Sequence, residues 1–169
     1  RRHRYFAIKS RVTPAFFMSG PVAIDRREVE DLPSVRSVRH SPLPSPCRIG
    51  KHVIVLFTDF GTRDPYVGQV KARLAEHAPT QQVVDLLHEA PDFNPHAGAH
   101  LLAAFATVFP PGSTFLAVVD PGVGTPRRTA VVLAGGRWFV GPDNGLLSVI
   151  AARHADARLW RIIWEPEDV

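Results

Sequence analysis

Cysteine is scarce in this 169-residue sequence, and long apolar runs are absent. The single Cys47 cannot form an internal disulfide, and no Cys and His residues have the spacing of a structural zinc site. No apolar run approaches the roughly 20 residues that span a bilayer. The arginine-rich start also lacks the apolar block of a signal peptide. The sequence therefore favours a cytoplasmic protein without disulfides, structural zinc or a membrane segment.

The sequence does not begin with methionine, and its first fifty residues differ from the rest in composition. They contain ten Lys and Arg against four acids, a net charge of +6, whereas residues 51–169 contain ten against twelve, a net charge of −2. The first segment is rich in Ser, Pro and Arg without a clear period, which is typical of disorder. We therefore predict a disordered or unrelated basic tail, residues 1–50, followed by one domain, residues 51–169. Two interpretations are open. The chain is a fragment or carries translated upstream sequence, or else the tail is a genuine basic arm.

The basic character lies in the tail, so it argues against nucleic-acid binding by the folded domain. From Lys51 onward, apolar runs alternate with helical patterns, which indicates βαβ units around a mainly parallel sheet of Rossmann-like α/β type. The predicted strands are 52–57, 82–87, 114–119, 129–133, 137–140 and 157–164. The predicted helices are 65–77, with Asp64 as its cap, one opened by Asn94 and Pro95, and 146–154. In the second helix, we expect Leu101, Leu102, Phe105 and Val108 to face the sheet.

Three polar loops, residues 59–64, 120–128 and 141–144, lie between these elements, and the first two directly follow buried parallel strands. In open α/β sheets, ligands bind outside the carboxyl ends of the strands, at a topological switch point. The loops are therefore the candidate site.

Asp59 lies where the first strand ends, beside Gly61. A carboxylate there can accept two hydrogen bonds from a diol such as the ribose hydroxyls. The alternative is an Asx turn or a helix cap with no ligand. The tripeptide Asp59-Phe-Gly61 also occurs in kinases, but the other kinase motifs are missing.

Asp120 and Arg127 bracket a loop with glycines at 122 and 124. This loop is not a dinucleotide fingerprint, because Pro126 and a strand follow where a helix should open. A carboxylate and a guanidinium held together can orient a water molecule and stabilise negative charge. A purely structural ion pair is the alternative.

Histidines are present, but they do not predict a metal site. His96 and His100 share one helix face at i and i+4, yet no acid and no third ligand accompanies them, so we expect that face to meet solvent. His88 lies at a strand end, where we expect only a capping or surface role.

Taken together, residues 58–68 with Lys71, residues 119–128 and residues 141–147 resemble the S-adenosylmethionine hydroxide adenosyltransferases, which are homologous to the fluorinase and chlorinase. The resemblance covers about Val53 to Trp164 in order and spacing. It implies attack of water or hydroxide at the 5′ carbon of ribose, giving adenosine and methionine. S-adenosylmethionine is then the substrate, and no metal or redox cofactor is implied.

The resemblance also implies roles for single residues. Asp59 would hold the ribose hydroxyls, Asp64 would support that loop, and Phe93 would lie over the sugar. Val123 would be a further substrate contact. Asp120 and Arg127 would be two members of an Asp, Arg, His set that handles the nucleophilic water.

Hydrolase and halogenase differ at two of the matching positions. The halogenases carry a tyrosine where this chain has Asp120, and a long insertion where it has the short turn Ala134-Gly-Gly136. A carboxylate repels a halide but accepts a hydrogen bond from water. The pattern thus favours a hydrolase, with a halogenase as the weaker alternative. A methyltransferase is disfavoured because the glycine-rich loop after the first strand is missing.

Two features of the family lie past the end of this sequence. These are the histidine of the catalytic set and a small C-terminal β-barrel that completes the site across a homotrimer interface. We expect the chain alone to bind S-adenosylmethionine weakly and to turn it over poorly. The alternatives are a catalytically inactive fragment that binds S-adenosylmethionine or adenosine and, least favoured, a nucleic-acid-binding arm at residues 1–50.

Overall fold

The computed structural model describes residues 53–125 and 127–162, together with the backbone of residues 24–25. A two-residue strand, six longer strands and three α-helices make up this part. In chain order they are β1 (Ile24–Asp25), β2 (Val53–Thr58), α1 (Tyr66–His77), β3 (Gln82–Leu87), α2 (Pro95–Phe105), β4 (Thr114–Val118), β5 (Thr129–Ala134), β6 (Arg137–Pro142), α3 (Ser148–Arg153) and β7 (Arg158–Ile162). The predicted tail, with Cys47, and residues 163–169 otherwise lie outside the described residues.

The strands form one sheet in the order β1-β7-β5-β6-β4-β2-β3. β3, β2, β4 and β6 are parallel to one another, whereas β5 pairs antiparallel with both β6 and β7. The sheet is therefore mixed. The prediction of a mainly parallel sheet applies to the half built from βαβ units, and the antiparallel half begins at the predicted hairpin.

That hairpin has a two-residue loop of Gly135 and Gly136, which have φ angles of 54° and 72°. Positive φ at both central residues is the geometry of the tight turn that matches the twist of paired strands, and glycine adopts it without steric cost. The prediction of a hairpin at this position is confirmed.

The helices cover both faces of the sheet. α2 and α3 pack on one face, around Phe57, Phe115 and Phe139, and α1 packs on the other through Val70 and Leu74. β2 lies between these layers and is buried on both faces. This position explains why its sequence is a continuous apolar run and not an alternating one.

The predicted apolar face of α2 is partly wrong. Leu102 is fully buried, but Phe105 is 38% exposed and Val108, in the 3-10 turn after the helix, is 80% exposed. The buried stripe consists mainly of small residues, namely Gly98, Ala99, Leu102, Ala103 and Ala106. Small residues let the helix approach the sheet closely: a Cβ at Gly98 would lie 3.0 Å from Leu146 Cδ1. The largest side chains were therefore a poor guide to the buried face.

The predicted cap of α1 is also wrong. Asp64 is exposed and makes no cap hydrogen bond. Pro65, with helical dihedral angles, occupies the cap position, and its carbonyl accepts a hydrogen bond from Gln69 N at 3.0 Å. In contrast, Asn94 caps α2 as predicted, because its side chain accepts a hydrogen bond from Ala97 N at 3.0 Å.

Candidate functional site

The candidate site lies at the carboxyl end of the sheet, which is defined by the loops that follow β2, β3, β4 and β6. From β2 the chain passes to β3 on one side and then to β4 on the other, so a topological switch point lies between β2 and β4. The first residues of the two loops are joined there, since Asp59 N donates to Val118 O at 3.2 Å. Loops that diverge from such a point leave a crevice in which ligands bind.

Asp59 is a carboxylate that is only 6% exposed at this switch point. The loop that carries it is fixed by the segment after β3. Gly61 N donates to His88 O at 2.7 Å, and the backbone and hydroxyl of Thr62 both donate to Glu89 Oε1 at 3.0 Å. A buried carboxylate on a braced loop is suited to recognise a group that donates two hydrogen bonds, such as a diol.

Asp120 and Arg127 form an ion pair in the loop after β4, as the sequence predicted. Asp120 Oδ1 accepts hydrogen bonds from Arg127 Nη1 and, at 2.9 Å, from Gly122 N. The two side chains are 13% and 30% exposed, so the pair is partly shielded from solvent. Both hydrogen bonds go to Oδ1. Within the described residues, Oδ2 accepts no hydrogen bond. Oδ1 is therefore engaged in hydrogen bonds within the loop, and Oδ2 can accept a hydrogen bond from a small molecule.

Gly122 makes this pairing possible. A Cβ there would lie 2.5 Å from both Nη atoms of Arg127, so the guanidinium occupies the space of the missing side chain. The glycine was predicted to lie in the site loop, but its packing against Arg127 cannot be read from the sequence. The reason is that the contact depends on how the loop folds back on itself.

The loop after β6 is tied to the loop after β4. Asn144 Nδ2 donates to Val119 O at 2.8 Å, while its Oδ1 accepts from Leu146 N at 3.1 Å. Asp143 N donates to Arg128 O at 3.0 Å. Sequence reasoning located this loop in the site but missed the bridging role of Asn144. Its only signal was an asparagine in the loop after a strand, where such side chains often bond to the backbone.

Phe93 lies in the segment after β3 in an unusual conformation. Its φ angle is 54°, and among the described residues it is the non-glycine residue with positive φ. The residue is nevertheless 52% exposed. For a bulky residue this backbone region is strained, and such strain clusters at ligand sites. The structure thus presents an aromatic side chain at the end of the sheet where Asp59 and Asp120 also lie.

The remaining predicted site residues are less constrained. Val123 is half-buried in the loop between Asp120 and Arg127. Asp64 is exposed and bonds to no other described residue, so the structure shows no support of its loop by this side chain. The bracing comes from Glu89 instead, which sequence reasoning missed.

His88 was expected to have a capping or surface role, but its ring is buried. Its side chain is 8% exposed, and its Nδ1 lies 2.8 Å from Thr58 Oγ1. On the other side of the ring, Nε2 lies 3.2 Å from Asp85 Oδ1 without the alignment of a hydrogen bond. Partial burial raises the pKa of Asp85, but Lys71, at 2.9 Å, and His88 lower it by more, so this pKa lies below its usual value.

His96 and His100 are exposed on α2 with their ring centres 5.1 Å apart, as expected of a helix face that meets solvent. Within residues 53–125 and 127–162, no three His, Cys, Asp or Glu side chains form a group able to hold a metal ion. The helices in these residues are also too short or too polar to cross a membrane.

The sequence is similar to those of several known proteins. A (R)-S-adenosyl-L-methionine hydrolase of Thermus thermophilus is 50% identical over 97 residues, which are 57% of this chain and 37% of that protein. One from Methanocaldococcus jannaschii is 38% identical over 115 residues, 65% of this chain and 43% of that protein. A fluorinase of Actinopolyspora mzabensis is 25% identical over 133 residues, 65% of this chain and 44% of that protein. The chain thus spans less than half the length of these relatives.

Solved structures show the same fold. A conserved hypothetical protein of Thermus thermophilus superposes with a TM-score of 0.59 at 41% identity, covering 65% of this chain and 46% of that one. An uncharacterized conserved protein of Thermotoga maritima gives 0.61 at 37% identity, covering 64% and 42%. The sequence profile of the SAM hydroxide adenosyltransferase N-terminal domain matches residues 54–168. This chain therefore belongs to the SAM hydroxide adenosyltransferase family and contains its N-terminal domain.

Proposed function

We propose that this domain binds S-adenosylmethionine at the carboxyl end of its sheet and, in the complete enzyme, hydrolyses it to adenosine and L-methionine. The Asp120–Arg127 pair carries the proposal, because it lies beside the switch point with one carboxylate oxygen uncommitted. The relatives named as S-adenosylmethionine hydrolases support the same reaction.

Asp59 is proposed to hold the ribose. A carboxylate that is almost fully buried gains most from neutral donors that replace water, and the 2′ and 3′ hydroxyls supply two. Phe93 would cover the sugar, and Val123 would add an apolar contact to the substrate. Together these contacts would fix the 5′ carbon in front of the loop after β4.

Asp120 is proposed to position the water. A water molecule that donates to Oδ2 would have a lone pair directed at the 5′ carbon. As the new C–O bond forms, the C5′–S bond breaks and its electron pair neutralises the sulfonium, giving the thioether of methionine. The water oxygen passes its proton to Asp120 Oδ2, which then returns it to solvent, and Arg127 stabilises the partial negative charge on the attacking oxygen. The sulfonium is already a good leaving group, so alignment and exclusion of bulk water are the main requirements.

The first test is binding by the 169-residue chain, measured by calorimetry with S-adenosylmethionine and adenosine. Asp59→Asn is expected to lower the affinity for both ligands by about 10-fold or more, since a charged hydrogen-bond acceptor is lost. Asp156→Asn is the matched control, because the Asp156 side chain is 67% exposed. Equal affinities of wild type and Asp59→Asn, with both proteins folded, would refute the ribose assignment.

The second test is turnover. This domain replaces the matching segment of the Thermus thermophilus hydrolase, so that the remainder of that relative completes the enzyme. Chromatography should detect adenosine release, and Asp120→Asn should lower the rate by about 100-fold or more while leaving the fold intact. Unchanged turnover would remove Asp120 from the mechanism. Formation of a 5′-halogenated nucleoside in the presence of chloride or fluoride would favour a halogenase instead.

A further inference from the structure

Thr58 and His88 form a buried polar pair that the proposed chemistry does not use. Their side chains are 1% and 8% exposed, and Thr58 Oγ1 lies 2.8 Å from His88 Nδ1. The pair bridges the carboxyl ends of β2 and β3, directly before Asp59. Buried polar groups are costly unless they are hydrogen-bonded, so a pair at this position needs a physical reason.

The Thr58 hydroxyl makes two contacts. Phe60 N donates to Thr58 Oγ1 at 3.4 Å, and Oγ1 is hydrogen-bonded to His88 Nδ1, so the hydroxyl connects the imidazole to the backbone of the residue after Asp59. On the other side of the ring, Nε2 lies 3.2 Å from Asp85 Oδ1.

The backbone reinforces the same connection on both sides of Asp59. Ala90 N donates to Thr58 O at 3.0 Å, and Gly61 N donates to His88 O at 2.7 Å. The residue before Asp59 and the residue two positions after it are therefore both fastened to the segment that begins at His88. The Thr58 hydroxyl adds a contact to Phe60, the residue immediately after Asp59.

We infer that Thr58 and His88 act as positioning residues that hold the Asp59 carboxylate in the orientation needed for both ribose hydroxyls. This inference rests on the proposed role of Asp59 in binding ribose. In this role neither residue touches the ligand. The Thr58 hydroxyl bonds to the His88 ring and to Phe60 N, the His88 carbonyl holds Gly61 N, and the direction of the Asp59 carboxylate follows from this backbone. Such supporting contacts determine how well a binding group is preorganised.

The test compares two ligands, adenosine and 2′,3′-dideoxyadenosine, which lacks both ribose hydroxyls. Thr58→Val keeps the branched shape and removes the hydroxyl, whereas Thr58→Ser keeps the hydroxyl. In calorimetry with the 169-residue chain, we expect Thr58→Val to lower the affinity for adenosine by about 10-fold. We expect the same variant to change the affinity for dideoxyadenosine by less than about 2-fold, and Thr58→Ser to bind adenosine as tightly as the wild type.

Other outcomes separate the two levels of the inference. Wild-type protein that does not bind adenosine, or does not prefer it over dideoxyadenosine, would overturn the proposed ribose site itself. A wild type that prefers adenosine, combined with an equal loss of both ligands in Thr58→Val, would overturn only the positioning role, because a general structural defect affects both ligands. Unchanged adenosine affinity in Thr58→Val would overturn it as well.

A second pair of variants tests the bond from the other side, in case Thr58→Val does not fold. His88→Asn retains a side chain that can hydrogen-bond to Thr58 Oγ1 as donor or acceptor, and His88→Ala removes it. Adenosine affinity should be restored in His88→Asn relative to His88→Ala, with the dideoxy ligand insensitive to both. Equal adenosine affinities in these two variants would contradict the inference.

Discussion

The space above Gly122 is filled by the guanidinium of Arg127, and a methyl group there would lie 2.5 Å from its Nη atoms. Gly122 does not have positive φ, so alanine is compatible with the backbone. The flexible end of Arg127 is what must move. Glycine is therefore required at position 122 to leave room for the Arg127 side chain, and not because of the backbone conformation.

Gly122→Ala should therefore separate function from stability. We expect Arg127 to leave Asp120 and turnover to fall by about 10-fold or more, since the pair would lose its geometry. The free energy of unfolding should change by less than about 0.5 kcal/mol, because the change is confined to a surface loop outside the hydrophobic core. Urea unfolding of the 169-residue chain and adenosine release by the hybrid with the Thermus thermophilus hydrolase measure the two quantities, and a large loss of stability with normal turnover would contradict the prediction.

The position of Asp59 and Asp120 at the carboxyl end of the sheet was predictable from the sequence, because each lies where a continuous apolar run ends and the ends of parallel strands meet at one end of a sheet. His88 was not predictable in the same way. It also follows a strand, but only the packing of β3 against β2 shows that its ring is buried against Thr58 and not turned to solvent.

At the scale of elements, α1 is joined to β3 by the ion pair of Lys71 and Asp85, at 2.9 Å. The pKa of Asp85 is lowered overall, since Lys71 and His88 outweigh the effect of burial. A carboxyl group whose pKa is lower in the folded state stabilises the protein above its unfolded pKa of about 3.9, and this contribution is lost as the pH falls through the folded value.

Asp85→Asn should therefore lower stability near pH 6 and have a smaller effect near pH 3. The Asp85 side chain is 42% exposed, so solvent screening limits the expected loss at pH 6 to about 0.5 kcal/mol. Thermal melting of wild type and variant across this range measures the difference. A gap in Tm that is constant or grows toward pH 3 would contradict the assignment.

Two glycines show how the elements differ in their tolerance of a side chain. A Cβ at Gly68 in α1 would meet nothing within 4 Å, whereas a Cβ at Gly141 in β6 would lie 2.3 Å from the backbone oxygen of Ala117 in β4. The first position is open helix surface. The second is a close approach of two parallel strands in the middle of the sheet.

Gly68→Ala is expected to stabilise the fold by about 0.5 kcal/mol through helix propensity. Gly141→Ala is expected to destabilise it by about 2 kcal/mol or more, because rigid backbone must move apart. Chemical denaturation of both variants gives the comparison. Similar unfolding free energies for the two would mean that β4 and β6 can separate at little cost.

At the scale of the whole molecule, all proposed site residues lie between Asp59 and Arg127, and the excess positive charge lies before residue 51. A chain beginning at residue 51 should therefore bind adenosine within about 2-fold of the 169-residue chain, and with the same weak dependence on salt. Calorimetry at two salt concentrations measures this. A large loss of affinity on deletion, strongest at low salt, would show that the basic segment takes part in binding.

The sequence by itself determined the order of strands and helices along the chain, the hairpin, the loops that carry the proposed site, and the resemblance to the family. These features depend on local periodicity, on turn residues and on motifs that are contiguous in the chain. Only the tertiary structure showed which face of α2 is buried, which oxygen of Asp120 accepts hydrogen bonds from the loop, and that the His88 ring lies against Thr58. Each of these depends on contacts between segments far apart in sequence, whose distances no local pattern encodes.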